Sequence, residues 1–293
     1  MLTVVAPGPF TTVQDQGRPG YAAIGVGPAG AFDRSALALA NRLVGNAEYA
    51  AGLEVLTGGL RLTTDRAIEV AVTGAQGPVT AGTAASGRNS VFRMLPGAEL
   101  AIGPPTSGLR SYLAVRGGIA VATTLGSRSW DSLAHLGPPP LVAGAQLPIG
   151  TAIAGDPIVA SAPVPSPATE VVTLHLTPGP RADWFDPAAW QVLASGDLQV
   201  SPRIDRVGVR LQGTPLPRAA AYRDRSLPSE GLVRGAVEVP PDGQPIILGA
   251  DHPTTGGYPV IGVITADDTD RCGQLVPGQP VRLLPDAISP PTG

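Results

Sequence analysis

Residues 229–267 read SEGLVRGAVEVPPDGQPIILGADHPTTGGYPVIGVITAD. Its two apolar runs, Ile246 to Gly249 and Val260 to Thr265, are too short for helices and rich in the branched residues that suit a pleated sheet. Gly and Pro bound both runs, so the stretch reads as β-strands joined by tight loops. Between them lies Asp251-His252-Pro253-Thr254-Thr255-Gly256-Gly257-Tyr258-Pro259. This loop gathers a carboxylate, an imidazole, two hydroxyls, a phenol and a flexible glycine pair between rigid strands, as sites commonly do. A plain hairpin turn needs none of Asp, His and Tyr together. Asp251 is suited to act as a base or a ligand anchor, and His252 as an acid or a hydrogen-bond donor.

The same texture extends outward through LEVLTGGLRLTT, AIEVAV, AELAI, SYLAV, EVVTLHL, VGVRL and PVRLL. In VVTLHL, Val172, Leu174 and Leu176 alternate with Thr173 and His175, the pattern of a half-buried strand. With 38 Gly and 33 Pro in 293 residues, roughly a quarter of the chain interrupts helices, about double the usual share. That excludes a helical bundle, a coiled coil and an array of helical repeats. A hydrophobic share of 43% with only 15% charged residues opposes disorder. The expected fold is mainly β with a few short helices. Length suits one large or two medium domains. The Ala-, Ser- and Pro-rich stretch from Asp156 to Thr169 reads as a linker, giving domains 1–165 and 166–293, the second carrying the Asp251–Pro259 loop.

Two helices stand out. One runs from about Arg34 to Val44, with Asp33 as N-cap and Gly45 at the C′ position. Its Asn41 lies on the apolar stripe and needs either an internal hydrogen-bond partner or a ligand. The other starts in DWFDPAAWQVL, with Asp186 capping, Pro187 in the first turn and Phe185 placed to staple onto Trp190.

All 20 basic residues are Arg, which removes Schiff-base, P-loop and biotin-carrying lysines. A net charge of -3, few aromatics and no basic run leave nucleic-acid binding without its electrostatic or stacking components. The single Cys272 excludes an internal disulfide and a thiolate metal cluster, and fits a reducing compartment. Flanked by Arg271 and Gly273, its thiol is a candidate for a lowered pKa, but no base stands beside it. Three scattered His suggest no metal site; His135 and His175 are expected to serve structure. MLTVVAPGPF lacks the marks of a secretory signal. The uncharged stretch Ser132 to Gly155 is too broken by Pro and Gly to span a membrane, so a cytoplasmic protein with no membrane partner is expected.

GxSxG, HExxH and a helix-opening GxGxxG are absent. What remains is polar loops. The segment Thr11 to Gly20 carries Gln14, Asp15 and Arg18, where Asp15 and Arg18 either pair locally to fix the turn or bind a ligand. In SPRIDRVGVRL, Arg203 and Arg206 supply guanidinium forks suited to carboxylate or phosphate, or else form a surface ion-pair cluster with Asp205.

Taken in order, GPFTTVQDQGRPGY, GAFDRSALALANRLVGN, LEVLTGGL followed by VTGA, SYLAVRGGIAVATTLGSRSWD, DWFDPAAW and SEGLVRGAVEVPPDGQPIILGADHPTTGGYPVIG resemble the biotin-dependent carboxyltransferase family, which includes the C component of 5-oxoprolinase and is also called allophanate hydrolase subunit 2. The resemblance implies two cyclophilin-like β-barrel domains. It also implies a partner like the B component of 5-oxoprolinase or allophanate hydrolase subunit 1, and a lactamase-like A component. Three roles come with it: ATP-dependent opening of 5-oxoproline to glutamate, carboxyl transfer from a separate biotin carrier to urea or another amide, and non-catalytic antagonism of a kinase inhibitor. The first leads. It implies ATP with Mg at the assembled complex, no biotin on this chain, and little activity for the chain alone.

Position by position, the family's pattern carries over to Gln14, Asp15, Gly17, Arg18, Asp33, Asn41, Ser201, Arg203, Glu230, Gly231, Gln244, Asp251 and Thr254-Thr255-Gly256-Gly257-Tyr258-Pro259. Catalytic roles fall to Asp251, His252, Arg203 and Arg206, with the arginines stabilising anionic oxygens and Asp251 orienting water or the substrate amide. Asp251 and Arg203 are expected to be removable without unfolding the chain. Gln14, Asp15, Arg18, Asn41, Glu230, Gln244, Thr254, Thr255, Gly256, Gly257 and Tyr258 are the expected substrate-binding set. The sequence departs from the family where the lysine after GGYP is Val260, where Arg-Gln after the Asp is His252-Pro253, and where an SxRMG-like stretch reads SPRIDRVG.

Overall fold

The computed structural model describes residues 1–286, so 287–293 of the expected second domain lie outside the described residues. The chain divides into two compact units, one of Met1–Gly20 and Pro28–Pro167, the other of Tyr21–Gly27 and everything described from Ala168 onward.

The first unit holds β1 (Leu2–Pro7), β2 (Phe10–Gln14), β3 (Gly52–Leu56), β4 (Leu60–Thr64), β5 (Ile68–Gln76), β6 (Val79–Ala81), β7 (Ala84–Ala85), β8 (Val91–Met94), β9 (Glu99–Ile102), β10 (Ser107–Val115) and β11 (Gln146–Leu147). They form two antiparallel sheets, β11-β1-β4-β9-β6-β7 and β2-β3-β10-β5-β8. The fold is mainly β with a few short helices, as expected; among the described residues the first unit's strands are divided between these two sheets. The five-stranded sheet is buried on both faces. Val70, Val72, Leu113 and Val115 join the main core, while Ala71 and Ala114 pack on Ala40, Leu43 and Val44 at the helix α1 (Arg34–Leu43). Double burial explains why these strands read as nearly unbroken apolar runs. Helix α1 begins where the Asp33 carboxylate accepts the Ala36 N–H at 2.9 Å. Gly45, at φ +72°, follows its last turn.

The second unit contains β12 (Val172–Pro178), β13 (Leu198–Ile204), β14 (Gly208–Gln212), β15 (Glu230–Gly231), β16 (Ala236–Glu238), β17 (Ile246–Leu248), β18 (Thr255–Gly256), β19 (Val260–Ile264) and β20 (Pro280–Pro285). Seven of them close a barrel in the order β12-β19-β16-β17-β14-β13-β20, with β12 running parallel to β20. Leu174, Leu176, Val200, Val209, Val237, Ile261 and Leu283 are buried in its strands. Strands β15 and β18 pair separately, Glu230 opposite Gly256 and Gly231 opposite Thr255, as a short strap. Under it, Leu232, Ala236, Leu248 and Val260 form a small apolar cluster. Helix α2 (Pro187–Ser195) starts as its sequence dictates, Asp186 accepting the Ala188 N–H with Pro187 in the first turn. Helix α3 (Ala266–Arg271) was not expected. ADDTDR offers too short an apolar stripe, yet Asp267 and Asp268 in its first turn and Arg271 in its last complement the helix dipole. No helix among the described residues is long and apolar enough to cross a membrane.

Candidate functional site

Each unit carries a constellation of its own. In the first, Asp15 follows β2 and is saturated by local donors. Its carboxylate accepts from the hydroxyls of Ser127 and Ser129 at 2.6 Å each, the Arg128 N–H at 2.6 Å and the Gly17 N–H at 2.8 Å. Arg18 is buried and turns away from it. Its guanidinium donates to the carbonyls of Thr124 and Ser129 and stands 3.9 Å from the Asp131 carboxylate. The local Asp15–Arg18 pair therefore does not form, because the 124–131 loop offers each group closer partners. Gln14 donates to Thr12 and to the Trp130 carbonyl at 3.0 Å each, leaving its Oε1 buried without a hydrogen bond, as is Nη1 of Arg18. Gly17, at φ +89°, lies so close to the next loop that a Cβ would sit 2.4 Å from the Pro28 carbonyl oxygen.

Asn41 finds the internal partners its position demands. Its amide donates to the carbonyls of Ala50 at 2.7 Å and Glu48 at 3.3 Å, and its oxygen accepts from Asn46 at 3.0 Å. It ties α1 to the following turn. Sequence reasoning missed a buried network ahead of that helix. Glu54 accepts the Phe32 N–H at 2.7 Å and the Tyr112 hydroxyl at 2.9 Å, Tyr112 accepts the Asp33 N–H at 2.7 Å, and Arg110 lies 3.6 Å from Glu54. Burial, reinforced by the charges of Glu54 and Asp33, pushes the Tyr112 phenol well above its ordinary pKa. The available signal was a charged residue interrupting an apolar run, in GLEVL and again in SGLRSYLAV.

In the second unit the four expected catalytic residues separate. Asp251 (1% exposed) and Arg206 (4% exposed) form a bidentate pair, Nε to Oδ2 at 2.8 Å and Nη2 to Oδ1 at 2.7 Å. The Asp251 N–H also donates to the Arg206 carbonyl at 2.9 Å, so the pair is pinned through side chain and backbone. His252 is buried with Nδ1 2.8 Å from the Pro253 carbonyl oxygen. A carbonyl only accepts, so Nδ1 is the donor in this contact. Arg203 lies elsewhere, in an open groove with Ser201, Arg210, Asp242 and Gln244. Gln244 is occupied there, exchanging hydrogen bonds with Gly213 at 3.0 and 3.1 Å. Arg203 and Arg210 form no ion pair among the described residues.

The loop from Thr254 to Pro259 is held by the strap. The Leu232 N–H donates to the Thr254 carbonyl at 2.9 Å, and Glu230 forms a double contact with Arg181. That hydrogen bonding and charge hold the Glu230 carboxyl below its ordinary pKa. Thr255, Gly257 and Tyr258 stay exposed at the tip. Glu238, which no motif indicated, is 6% exposed beneath Gly256, and its Oε1 has no hydrogen-bond partner. Burial raises its pKa, opposed only in part by the Tyr258 N–H.

His175 and Asp268 pair at 2.8 Å, and Arg271 meets the second Asp268 oxygen. Burial opposes ionisation of Asp268, but the hydrogen bonds from the His175 N–H, Arg271 and the His175 ring outweigh it and lower its pKa. The thiol of Cys272 is buried and pushed up to about 12, the reverse of the activated thiol its flanking Arg271 suggested. Among the described residues, no three His, Cys, Asp or Glu side chains converge as metal ligands.

The family model described as carboxyltransferase domain, subdomain A and B, matches residues 24–285. The chain is 37% identical to the C component of 5-oxoprolinase from Escherichia coli, over 97% of this chain and 91% of that protein. It is 32% identical to urea amidolyase of Lachancea kluyveri, over 96% of this chain but only 17% of that enzyme. The crystal structure of the K. lactis urea amidolyase matches with a TM-score of 0.91 at 30% identity, covering 97% of this chain and 18% of that one.

Proposed function

The chain belongs to the carboxyltransferase domain family, subdomain A and B, and on that premise we propose that it is the C component of a cytoplasmic, ATP-dependent 5-oxoprolinase. The observation that carries this reading is the 37% identity to a component of that name, against 32% to a urea amidolyase. Its partners are a protein like the B component of 5-oxoprolinase and a lactamase-like A component.

A lactam is stabilised by resonance, so opening it requires charge stabilisation at the carbonyl oxygen and a proton at the departing nitrogen. The tip Thr255-Gly256-Gly257-Tyr258, exposed at Thr255, Gly257 and Tyr258, is the natural substrate-facing element, offering hydroxyls and backbone N–H groups from a loop held by Leu232 and β15. Asp251 is engaged by Arg206 on both oxygens. It therefore serves as an anchor of the loop's first turn rather than as a free base. His252 follows it in the same buried turn, its Nδ1 held at the Pro253 carbonyl. ATP supplies an activating phosphoryl group when bound, and the donor set available for its anionic oxygens here is guanidinium. Arg203 and Arg210, without an ion pair among the described residues and sharing one groove, suit that charge.

The test is reconstitution. The chain co-expressed with its two partners is expected to release glutamate from 5-oxoproline only with ATP present, while the chain alone releases almost none. ATP-independent turnover, or full activity of the isolated chain, counts against the proposal. The TM-score of 0.91 to a urea amidolyase favours a second reading, carboxyl transfer to an amide from a separate biotin carrier. Incorporation of labelled bicarbonate into urea with carboxylase and carrier added, and none of 5-oxoproline consumed, would give it precedence.

A further inference from the structure

Glu238 ends β16 at an irregularity, where Val237 pairs with Gly262 and Glu238 with Val260, one β19 residue being skipped. Such bulges re-aim a side chain. Here the carboxyl is aimed at the strap: a Cβ built on Gly256 would lie 2.4 Å from Oε1 and 2.6 Å from a methyl of Leu232. Only glycine lets the strap rest directly on this carboxyl. The Tyr258 N–H donates to the group, while Oε1 is left without a partner.

The surroundings are apolar. Ile246 and Val260 flank Glu238 across the ladders, and Leu232 covers it. The charged groups on the packed elements are engaged elsewhere. Glu230 on the strap is held by Arg181, and Arg218 donates to the Val239 carbonyl. Among the described residues no cation pairs with Glu238. A carboxylate in such a place lacks both water and a counter-charge, whereas the neutral acid needs only one acceptor for its O–H.

We propose that Glu238 is a catalytic proton donor of the Thr254–Pro259 loop, its Oε1–H meeting the amide nitrogen of a substrate admitted when the Gly256–Gly257 segment lifts. This rests on the amide-opening reading above. Water adds its hydroxyl to the carbonyl carbon while the Glu238 O–H bond breaks and its proton goes to the substrate nitrogen; the water's proton returns to the Glu238 carboxylate, so the acid is regenerated. The C–N bond of the adduct then breaks, its electron pair leaving on the protonated nitrogen.

Glu238→Gln keeps the size and the acceptor for Tyr258 but carries no labile acid. In the reconstituted complex it is expected to lose roughly 10²-fold in kcat/KM at the pH where the wild type is most active, the usual scale of general acid catalysis. It should also lose the alkaline fall of the wild-type pH profile. Unchanged turnover with an unchanged profile overturns the donor role.

Melting the full chain gives a readout independent of activity. The folded pKa lies above the unfolded one, so the wild type loses stability as pH rises from about 4.3 through the folded value. Its Tm relative to Glu238→Gln should fall over that range. A Tm difference that does not vary with pH overturns the proposal whatever the substrate is. A complex inert toward 5-oxoproline counts against the 5-oxoprolinase reading, and the melts then decide on Glu238.

Discussion

Asp251 shows how burial changes the role a residue type suggests. From the sequence it is an acid presented by a loop and removable without structural cost. In the fold it is 1% exposed and satisfied on both oxygens by Arg206. Removing one partner of a buried pair strands the other charge, at a cost of about 3–5 kcal/mol. We therefore expect Asp251→Ala to lower unfolding free energy by that amount in urea titrations. Exposed Arg203→Ala should leave stability within about 0.5 kcal/mol while impairing the assembled enzyme. Replacing both members, Arg206→Met with Asp251→Leu, should recover much of the loss. A stable Asp251→Ala with wild-type urea midpoint contradicts this account. Loop composition pointed to Asp251 and Arg206 separately, but nothing in the spacing of residues 45 apart revealed their bidentate contact. Glu238 was invisible for the same reason: in AVEVPP it reads as the polar tooth of an alternating strand.

At the level of elements, legibility followed local physics. Caps are local, so Asp33 and Asp186 were readable as helix starts and accept the expected N–H groups. The strand ends at Leu248 and Ile264 fall within a residue of the Gly and Thr that mark them. Helix α3 escaped because its six residues are held by a tertiary contact, Asp268 accepting the His175 N–H at 2.7 Å, and not by an apolar stripe. Non-local contact also decides which glycines matter. Gly17 and Gly20 flank the same turn with φ of +89° and +97°, yet a Cβ at Gly17 meets the Pro28 oxygen at 2.4 Å and one at Gly20 meets nothing within 4 Å. Gly20→Ala is expected to cost only the positive-φ strain, about 1–2 kcal/mol. Gly17→Ala should cost distinctly more, because backbone must move as well. Equal urea midpoints for the two variants would mean that the 15–18 and 28–31 loops yield freely.

For the whole molecule, composition was enough for a mainly β chain, because Gly and Pro density and short branched runs are properties of single segments. Ring closure is not such a property. It depends on whether the last strand finds the first, as β20 finds β12 in the second unit. The grouping of Tyr21–Gly27 with the second unit was equally hidden; Gly27 lies there with its absent Cβ 3.1 Å from the His252 carbonyl. This grouping has a measurable consequence. Ile158 is 98% exposed and Val159 53%, in a stretch without regular structure, while Ala154 and Gly155 before it and Ala160 and Ala162 after it are held by backbone hydrogen bonds. Thermolysin, which cuts before aliphatic residues, should nick first at the Ile158–Val159 bond. Trypsin should spare the whole stretch, since no Arg or Lys lies between Arg128 and Arg181. After the nick, the N-terminal fragment still carries Tyr21–Gly27, a segment built into the second unit. The two fragments should therefore co-elute in gel filtration and part only in denaturant. Immediate separation of the nicked fragments in native buffer would show that this segment adds little to the unit that contains it.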